Sequence, residues 1–159
     1  PRVNILQPGT GVGGHCIAVD PWFIVSSDQK NSKLIKQARE VNDSKPNWVV
    51  EKISQEAKDS GKANPQIACL GLAFKPDIDD LRESPAIVVA SSLGALGLRV
   101  VCVEPNIEAH TDFLMTSLDD ALKNADVIAV LVGHKEFRSD TNKESLRAAK
   151  AMDFCGALI

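Results

Sequence analysis

The stretch QIACLG at residues 66–71 is short and apolar, and it predicts a buried β-strand. Ser84 and Pro85 then predict the start of a helix that ends near Leu96, because serine caps helix N-termini and proline suits the first helical position. The apolar run at residues 99–103 predicts a second strand. A strand, a helix and a strand in this order favour a parallel sheet whose two faces are covered by helices.

The same alternation continues toward the end of the chain. Residues 117–123 predict a short helix, whose first turn carries two aspartates that the helix dipole favours. A strand, a helix and a strand are then expected at residues 126–132, 143–149 and 151–154. The predicted fold class is therefore α/β with a Rossmann-like parallel sheet, and ligands of such sheets bind at the carboxyl ends of the strands.

The residues before the sheet follow a different pattern. Residues 1–30 are mostly loop by composition, whereas residues 31–60 carry apolar side chains at helical spacing. Pro46 either begins a second helix or kinks a single long one. A linker follows, so we divide the chain into a helical region, residues 1–62, and a sheet domain, residues 63–159.

Composition argues against several classes of function. The 159 residues carry a net charge of −3, so no basic field of the kind that binds nucleic acid is expected. No apolar run approaches the ~20 residues that a membrane span needs, and no signal peptide is recognisable. We therefore expect a cytoplasmic protein, and the start at Pro1 suggests a piece of a longer chain.

The four cysteines differ in their surroundings. Their spacing contains no C-x-x-C pair, so neither a zinc site nor any other metal site is expected. Cys69 and Cys102 lie within predicted strands, where a free thiol behaves as a small apolar side chain. A reducing compartment is the simplest setting for such thiols.

Residues 9–14, GTGVGG, match the G-x-G-x-x-G pattern of dinucleotide-binding loops. That function requires a helix directly after the glycines, and Pro21 argues against one because it pushes Asp20 toward extended geometry. We therefore do not assign this loop to a dinucleotide. The glycines serve either a close approach of backbone N–H groups to a ligand or a tight structural turn.

Cys16 stands at the end of this glycine loop rather than in an apolar strand, with His15 before it and Asp20 four residues later. A cysteine attacks as its thiolate, and exposed N–H groups or cationic neighbours favour that form. Asp20 could orient a water molecule or move a proton. On spacing alone, a structural role for Cys16 remains open.

Two long motifs bring these residues together in one resemblance. Residues 8–23, PGTGVGGHCIAVDPWF, and residues 71–85, GLAFKPDIDDLRESP, are very similar to the two signature segments of the UDP-glucose/GDP-mannose dehydrogenase family. VEP at residues 103–105 and LVGHKEF at residues 131–137 also resemble this family. The resemblance covers nearly the whole chain and is closest to the branch that acts on UDP-N-acetyl-D-mannosamine.

The resemblance implies a chemistry for Cys16. Family members oxidise a sugar primary alcohol to a carboxylate in two steps with NAD⁺, through an aldehyde, a cysteine thiohemiacetal and a thioester. Cys16 would be the catalytic nucleophile, and Asp20 would position the hydrolytic water or transfer protons. A serine would be a poorer nucleophile than Cys16 at neutral pH.

The resemblance also implies contacts with the UDP-sugar. Phe74 and Lys75 match a Phe-Lys pair that contacts the nucleotide sugar, and Gly13 matches a glycine whose backbone approaches it. Arg2 matches an arginine that reaches the substrate across a dimer interface. From the residues alone, Lys75 could equally be a solvated surface lysine.

Arg82 matches an arginine on the NAD side of the cleft, although a simple ion pair with Glu83 or Asp79 is the alternative. The NAD-binding domain itself is expected outside this chain, and a homodimer is expected through the helices of the region before the sheet. The family also tends to carry an arginine near the last strand, and residues 153–159 contain none.

Two other functions remain open at this stage. The first is a non-catalytic nucleotide-binding and dimerisation module, and the second is the same oxidation of UDP-glucose or UDP-N-acetylglucosamine.

Overall fold

The structure, a computed structural model, describes residues 7–159 and contains a four-stranded sheet. Its strands are β1 Gln66–Leu70, β2 Arg99–Val103, β3 Val127–Val130 and β4 Met152–Asp153. All three pairings are parallel, and the strand order is β2-β1-β3-β4. The prediction of an α/β fold with a parallel sheet is therefore confirmed.

Six helices accompany this sheet within residues 7–159: α1 Asp20–Ser27, α2 Lys33–Asp59, α3 Pro85–Ala95, α4 Leu118–Asn124, α5 Lys135–Arg138 and α6 Asp140–Ala148. Buried side chains of α2 and α3 pack on one face of the sheet. Side chains of α4, α5 and α6 pack on the other. Every residue of β3 is buried, as expected for a strand covered on both faces.

Helix α1 contradicts the prediction that Asp20 and Pro21 would prevent a helix. Proline is tolerated there because it lies in the first turn, where backbone N–H groups have no helical partner. The N–H of Asp20 instead donates to the carbonyl oxygen of Cys16 at 2.8 Å, which holds Asp20 in the preceding turn. The extended preference of a residue before proline is a bias, and this bond outweighs it.

Helix α2 is one continuous helix of 27 residues with Pro46 inside it. Its C-terminal half contributes Val49 and Ile53 to the same core as α3 and the sheet. This core includes residues from both sides of the proposed domain boundary at residue 62, so that boundary stays a prediction.

Smaller differences concern the helix starts. Ser84 precedes α3 as expected, but its hydroxyl makes no capping bond, whereas the hydroxyl of Ser117 accepts from the N–H of Asp120 at the start of α4. Helix α5 was not predicted, and α6 begins three residues before the predicted helix. Phe137 of α5 and Leu146 of α6 are buried in the core on one face of the sheet, and such tertiary packing overrides local propensity.

Candidate functional site

A cavity of about 720 Å³ lies at the carboxyl ends of β1 and β3. The strand order reverses between β1 and β3, because β2 is added to the sheet on the far side of β1 and β4 on the far side of β3. One wall is the glycine loop, which we define as residues 7–17, and the other is formed by residues that follow β1 and β3. Ligands of open parallel sheets bind at such a switch in strand order.

The glycine loop approaches the sheet because two of its residues lack a side chain. A Cβ on Gly13 would lie 2.1 Å from the carbonyl oxygen of Glu83. A Cβ on Gly14, whose φ is +88°, would meet the ring of Phe74 at 2.8 Å. Only glycine permits this approach, which brings the loop against Phe74 and the segment before α3.

Helix α2 holds the same loop through two polar side chains that sequence analysis missed. The N–H of Val12 donates to Asn42 Oδ1 at 2.7 Å, and Asn42 Nδ2 donates to the Val12 carbonyl oxygen at 3.2 Å. Arg39 is buried, donates to the carbonyl oxygens of Val12 and Ile17 at 3.4 Å, and pairs with Asp43 at 2.6 Å. Nothing local in the sequence connects these helix residues to a loop about 30 positions earlier.

Cys16 is exposed at the end of the glycine loop, and its Sγ lies 3.1 Å from His15 Nδ1. Its carbonyl oxygen accepts from the N–H groups of Val19 and Asp20, so the thiol stands at the start of the turn that leads into α1. The cavity wall includes Ile17 but not Cys16. The thiol therefore lies beside the cavity rather than in it.

Arg82 forms an ion pair with Asp80 rather than with Glu83 or Asp79. Its Nη2 lies 2.5 Å from Asp80 Oδ2 and its Nε donates to both carboxylate oxygens at 3.0 Å. These bonds hold the pKa of Asp80 at about 2 and raise the pKa of Arg82. Arg82 also lies next to the glycine loop, since its carbonyl oxygen accepts from the N–H of Gly14 at 3.3 Å.

The carboxyl edge of the sheet is held by a buried pair, Glu104 and His134. Glu104 Oε2 accepts from the N–H groups of Leu72 and Ala73 at 2.7 and 3.1 Å, and it lies 3.1 Å from His134 Nε2. His134 Nδ1 accepts from the N–H of Asp77 at 2.9 Å. The imidazole therefore carries its proton on Nε2 and donates it to Glu104.

This pair fixes the segment after β1. Burial alone raises the pKa of Glu104, but the bonds from His134, Leu72 and Asn106 outweigh it and hold the pKa at about 2. Glu104 follows β2 and His134 follows β3, which is where functional side chains of parallel sheets are expected. Their positions after predicted strands were the available signal, although sequence analysis gave neither residue a role.

The structure brings some of the predicted site residues together and leaves others apart. Gly13, Phe74 and Lys75 line the cavity. Cys16, Asp20 and Arg82 lie outside its wall, and the carboxylate of Asp20 makes no hydrogen bond to Cys16 within the described part of the chain. Arg2 lies outside the described residues.

The other three cysteines contrast with Cys16. Cys69 and Cys102 are buried in the sheet and Cys155 is half-buried. Burial raises the pKa of Cys102 and of Cys155 to about 12, and it raises the pKa of Cys69 as well. These three thiols are poor nucleophiles at neutral pH, because little thiolate is present.

Residues 7–159 lack two further kinds of feature. No group of three or more potential metal ligands converges there. Among the helices of that part, none has both the length and the apolar character needed to cross a bilayer.

Comparisons with known proteins agree with this geometry. Residues 68–158 match the family model of the UDP-glucose/GDP-mannose dehydrogenase family, UDP binding domain. Residues 1–44 match the central domain of the same family. The two matches follow each other in the chain, and together they cover both walls of the cavity.

Similar proteins include two UDP-N-acetyl-D-mannosamine dehydrogenases. The protein of Campylobacter jejuni is 53% identical over 98% of this chain and 38% of its own length. The protein of Escherichia coli K12 is 49% identical over 87% of this chain and 36% of its own length. The chain thus spans little more than a third of these relatives.

Solved structures show the same similarity. The UDP-D-ManNAc dehydrogenase of Pyrococcus horikoshii covers 100% of this chain with a TM-score of 0.79 and 32% identity, over 38% of that protein. The UDP-N-acetyl-mannosamine dehydrogenase of Staphylococcus aureus covers 87% with a TM-score of 0.72 and 41% identity, over 32% of that protein. This chain belongs to the UDP-glucose/GDP-mannose dehydrogenase family.

Proposed function

We propose that this chain is the C-terminal part of an NAD-dependent dehydrogenase that oxidises UDP-N-acetyl-D-mannosamine to UDP-N-acetyl-D-mannosaminuronate. The observation that carries the proposal is an exposed thiol, Cys16, on the glycine loop that walls the cavity at the sheet edge. The relatives named for this sugar nucleotide support the choice of substrate. UDP-glucose and UDP-N-acetylglucosamine are the alternative substrates.

Cys16 supplies the nucleophile for the second oxidation. Its thiolate adds to the aldehyde carbon, a C–S bond forms, and the carbonyl oxygen takes a proton to give a thiohemiacetal. Removal of a hydride from the thiohemiacetal carbon, for which bound NAD⁺ would be the acceptor, and of the hydroxyl proton would leave a thioester on Cys16. Water then attacks the carbonyl carbon, the C–S bond breaks, and the carboxylate and the free thiol are released.

NAD⁺, when bound, accepts the hydride in both oxidation steps, and we propose that it is held mainly by a domain outside this chain. On this chain, Arg82 is the residue that fits a cofactor contact, since its guanidinium is exposed next to the glycine loop that carries Cys16, and a cation suits a diphosphate. Asp80 orients that guanidinium, because its Oδ1 accepts from Nε and its Oδ2 accepts from Nη2.

The sugar nucleotide occupies the cavity between the glycine loop and the sheet edge. The Phe74 ring and the Lys75 ammonium come from the segment after β1, and the Lys75 charge suits a diphosphate. The backbone of Gly13 approaches the ligand from the opposite wall, and Arg2 would reach it from the partner subunit. Asp20 lies one turn after Cys16 and positions the hydrolytic water or transfers its proton.

A homodimer through the central helices completes the proposal. The exposed side chains of Leu34, Val41 and Trp48 support it, because they are spaced seven residues apart on α2 and so share one apolar helix face that a second copy would cover. Light scattering of the purified protein tests the dimer. We propose that the protein acts in the cytoplasm, where Cys16 stays reduced.

Steady-state kinetics of the full-length protein test the function. With UDP-N-acetyl-D-mannosamine we expect two NADH per sugar, and a higher kcat/KM than with UDP-glucose or UDP-N-acetylglucosamine. Cys16→Ala should lower uronate formation at least ~10³-fold, because no thiohemiacetal forms. Cys102→Ala, which removes a buried thiol away from the cavity, is the control. This chain alone should not turn over the substrate.

The second candidate is a non-catalytic nucleotide-binding and dimerisation module, which the position of Cys16 outside the cavity wall favours. Full activity of the Cys16→Ala protein would support the module and exclude the thiohemiacetal.

A further inference from the structure

We propose that Arg138 is a second phosphate-binding residue of the cavity, and that Gly133 exists to place its guanidinium there. The inference rests on the proposed function, since it concerns the same cavity, and it assigns the phosphate contacts of the sugar nucleotide to Arg138 and Lys75 together. Arg138 ends helix α5, after β3, on the side of the cavity opposite the glycine loop.

The guanidinium of Arg138 lies directly on the backbone of Gly133. A Cβ at residue 133 would be 2.7 Å from Nη2, 3.0 Å from Nε and 3.1 Å from Cζ of Arg138. Any side chain at residue 133 would therefore push the guanidinium away. The absence of a side chain on Gly133 lets a planar cation lie against the cavity wall.

The charge of the cavity is unbalanced. Lys75 and Arg138 both line it, and none of the described residues in its wall is an aspartate or a glutamate. Neither cation has an ion-pair partner within residues 7–159, whereas the nearby Arg82 is paired with Asp80. Two unpaired cations at one cavity repel each other, and a bound polyanion removes that repulsion.

The two segments that carry these cations are joined by one set of hydrogen bonds. The N–H of Arg138 donates to the carbonyl oxygen of His134 at 3.2 Å, and the N–H of Lys135 donates to Asp77 Oδ1 at 2.8 Å. Asp77 belongs to the segment that also carries Lys75, and its own N–H donates to His134 Nδ1. Helix α5 and the segment after β1 are therefore held to each other.

A diphosphate is the ligand group that fits this pair. The guanidinium presents two N–H groups in one plane to two phosphate oxygens, and the ammonium of Lys75 provides a point charge for the neighbouring phosphate. Arg138 should therefore contribute to the binding of UDP but not to the binding of uridine.

Titration of this chain with UDP by calorimetry, and with uridine by NMR, which reaches millimolar affinities, tests the proposal. Arg138→Gln should lower the affinity for UDP about tenfold and leave the affinity for uridine unchanged. Lys135→Gln is the matched control, because it removes the same charge from the same helix outside the cavity wall, and it should change UDP affinity less than about twofold.

Gly133→Ala is the second variant, because it displaces the guanidinium without removing its charge. Gly133 has no left-handed φ, so alanine fits the backbone. It should lower the affinity for UDP about as much as Arg138→Gln does. The double variant should bind UDP no more weakly than Arg138→Gln alone. An equal UDP affinity of Arg138→Gln and Lys135→Gln overturns the inference and leaves the proposed function standing. No UDP binding by either this chain or the full-length protein overturns both.

Discussion

The two walls of the cavity are positioned by opposite means. The glycine loop can lie close to the sheet because Gly13 and Gly14 have no Cβ that would collide with Glu83 and Phe74. Hydrogen bonds with the side chain of Asn42 hold it there. The sheet edge is held by a buried carboxylate, Glu104, with five donor groups around it. The first wall depends on shape and the second on charge, so different substitutions should disturb each.

Glu104→Ala should cause the largest loss, about 3–5 kcal/mol in the free energy of unfolding. It leaves the N–H groups of Leu72 and Ala73 and the Nε2–H of His134 buried without an acceptor. Urea denaturation measures the change, with exposed Glu108→Ala as control. A loss below about 1 kcal/mol would mean that the pair does not hold the sheet edge.

The charge of Glu104 also predicts a pH dependence. Its pKa is about 2 in the folded state against an ordinary 4.5, so the carboxylate adds stability above pH 4.5 that disappears as the pH falls through 2. The contribution is on the order of 3 kcal/mol. Glu104→Gln, compared with the unaltered chain between pH 5 and pH 2, should have a flatter stability curve. Parallel curves would contradict the prediction.

Gly13→Ala tests the wall that depends on shape. Its Cβ would overlap the carbonyl oxygen of Glu83, so the loop or the segment before α3 must move, at a cost of about 1–3 kcal/mol. Gly9→Ala is the control, because nothing lies within 4 Å of its Cβ and its φ is not left-handed. Thermal unfolding of both variants gives the difference. Equal melting temperatures would refute the close approach.

Asn42→Ala should have the smallest effect, confined to the glycine loop. It removes both hydrogen bonds to Val12. Each such bond contributes about 1 kcal/mol, so the loss of both should accelerate hydrogen exchange of the Val12 amide about thirtyfold. Exposed Asn47→Ala on the same helix should leave that exchange unchanged. If both variants exchange alike, α2 does not hold the loop.

Much of this structure could be predicted because its signals are local. The apolar strands β1 and β2 and the Pro-led helix α3 each follow from a few adjacent residues. The helix after Cys16 could not be predicted, because the bond from the Asp20 N–H to the Cys16 carbonyl oxygen overrides the preference of a residue before proline.

The residues of the site also fall into those that local motifs predict and those that they do not. The motifs pointed to Gly13, Phe74 and Lys75, which line one cavity. The supports of that cavity, Asn42 and the pair of Glu104 and His134, act over about 30 positions of sequence. Such contacts form only once the sheet and α2 have folded, so the sequence shows at most that Glu104 and His134 follow predicted strands, and not what they contact.

Differential alkylation of the native chain tests most directly whether Cys16 stands where a sugar nucleotide reaches it. Iodoacetamide labelling with peptide mass spectrometry should modify Cys16 at least about tenfold faster than Cys69, Cys102 or Cys155, as exposure and the raised pKa values of those three require. UDP-N-acetyl-D-mannosamine should slow the labelling of Cys16, and uridine should not. Equal labelling of all four thiols, or a Cys16 rate unchanged by saturating sugar nucleotide, would contradict the account.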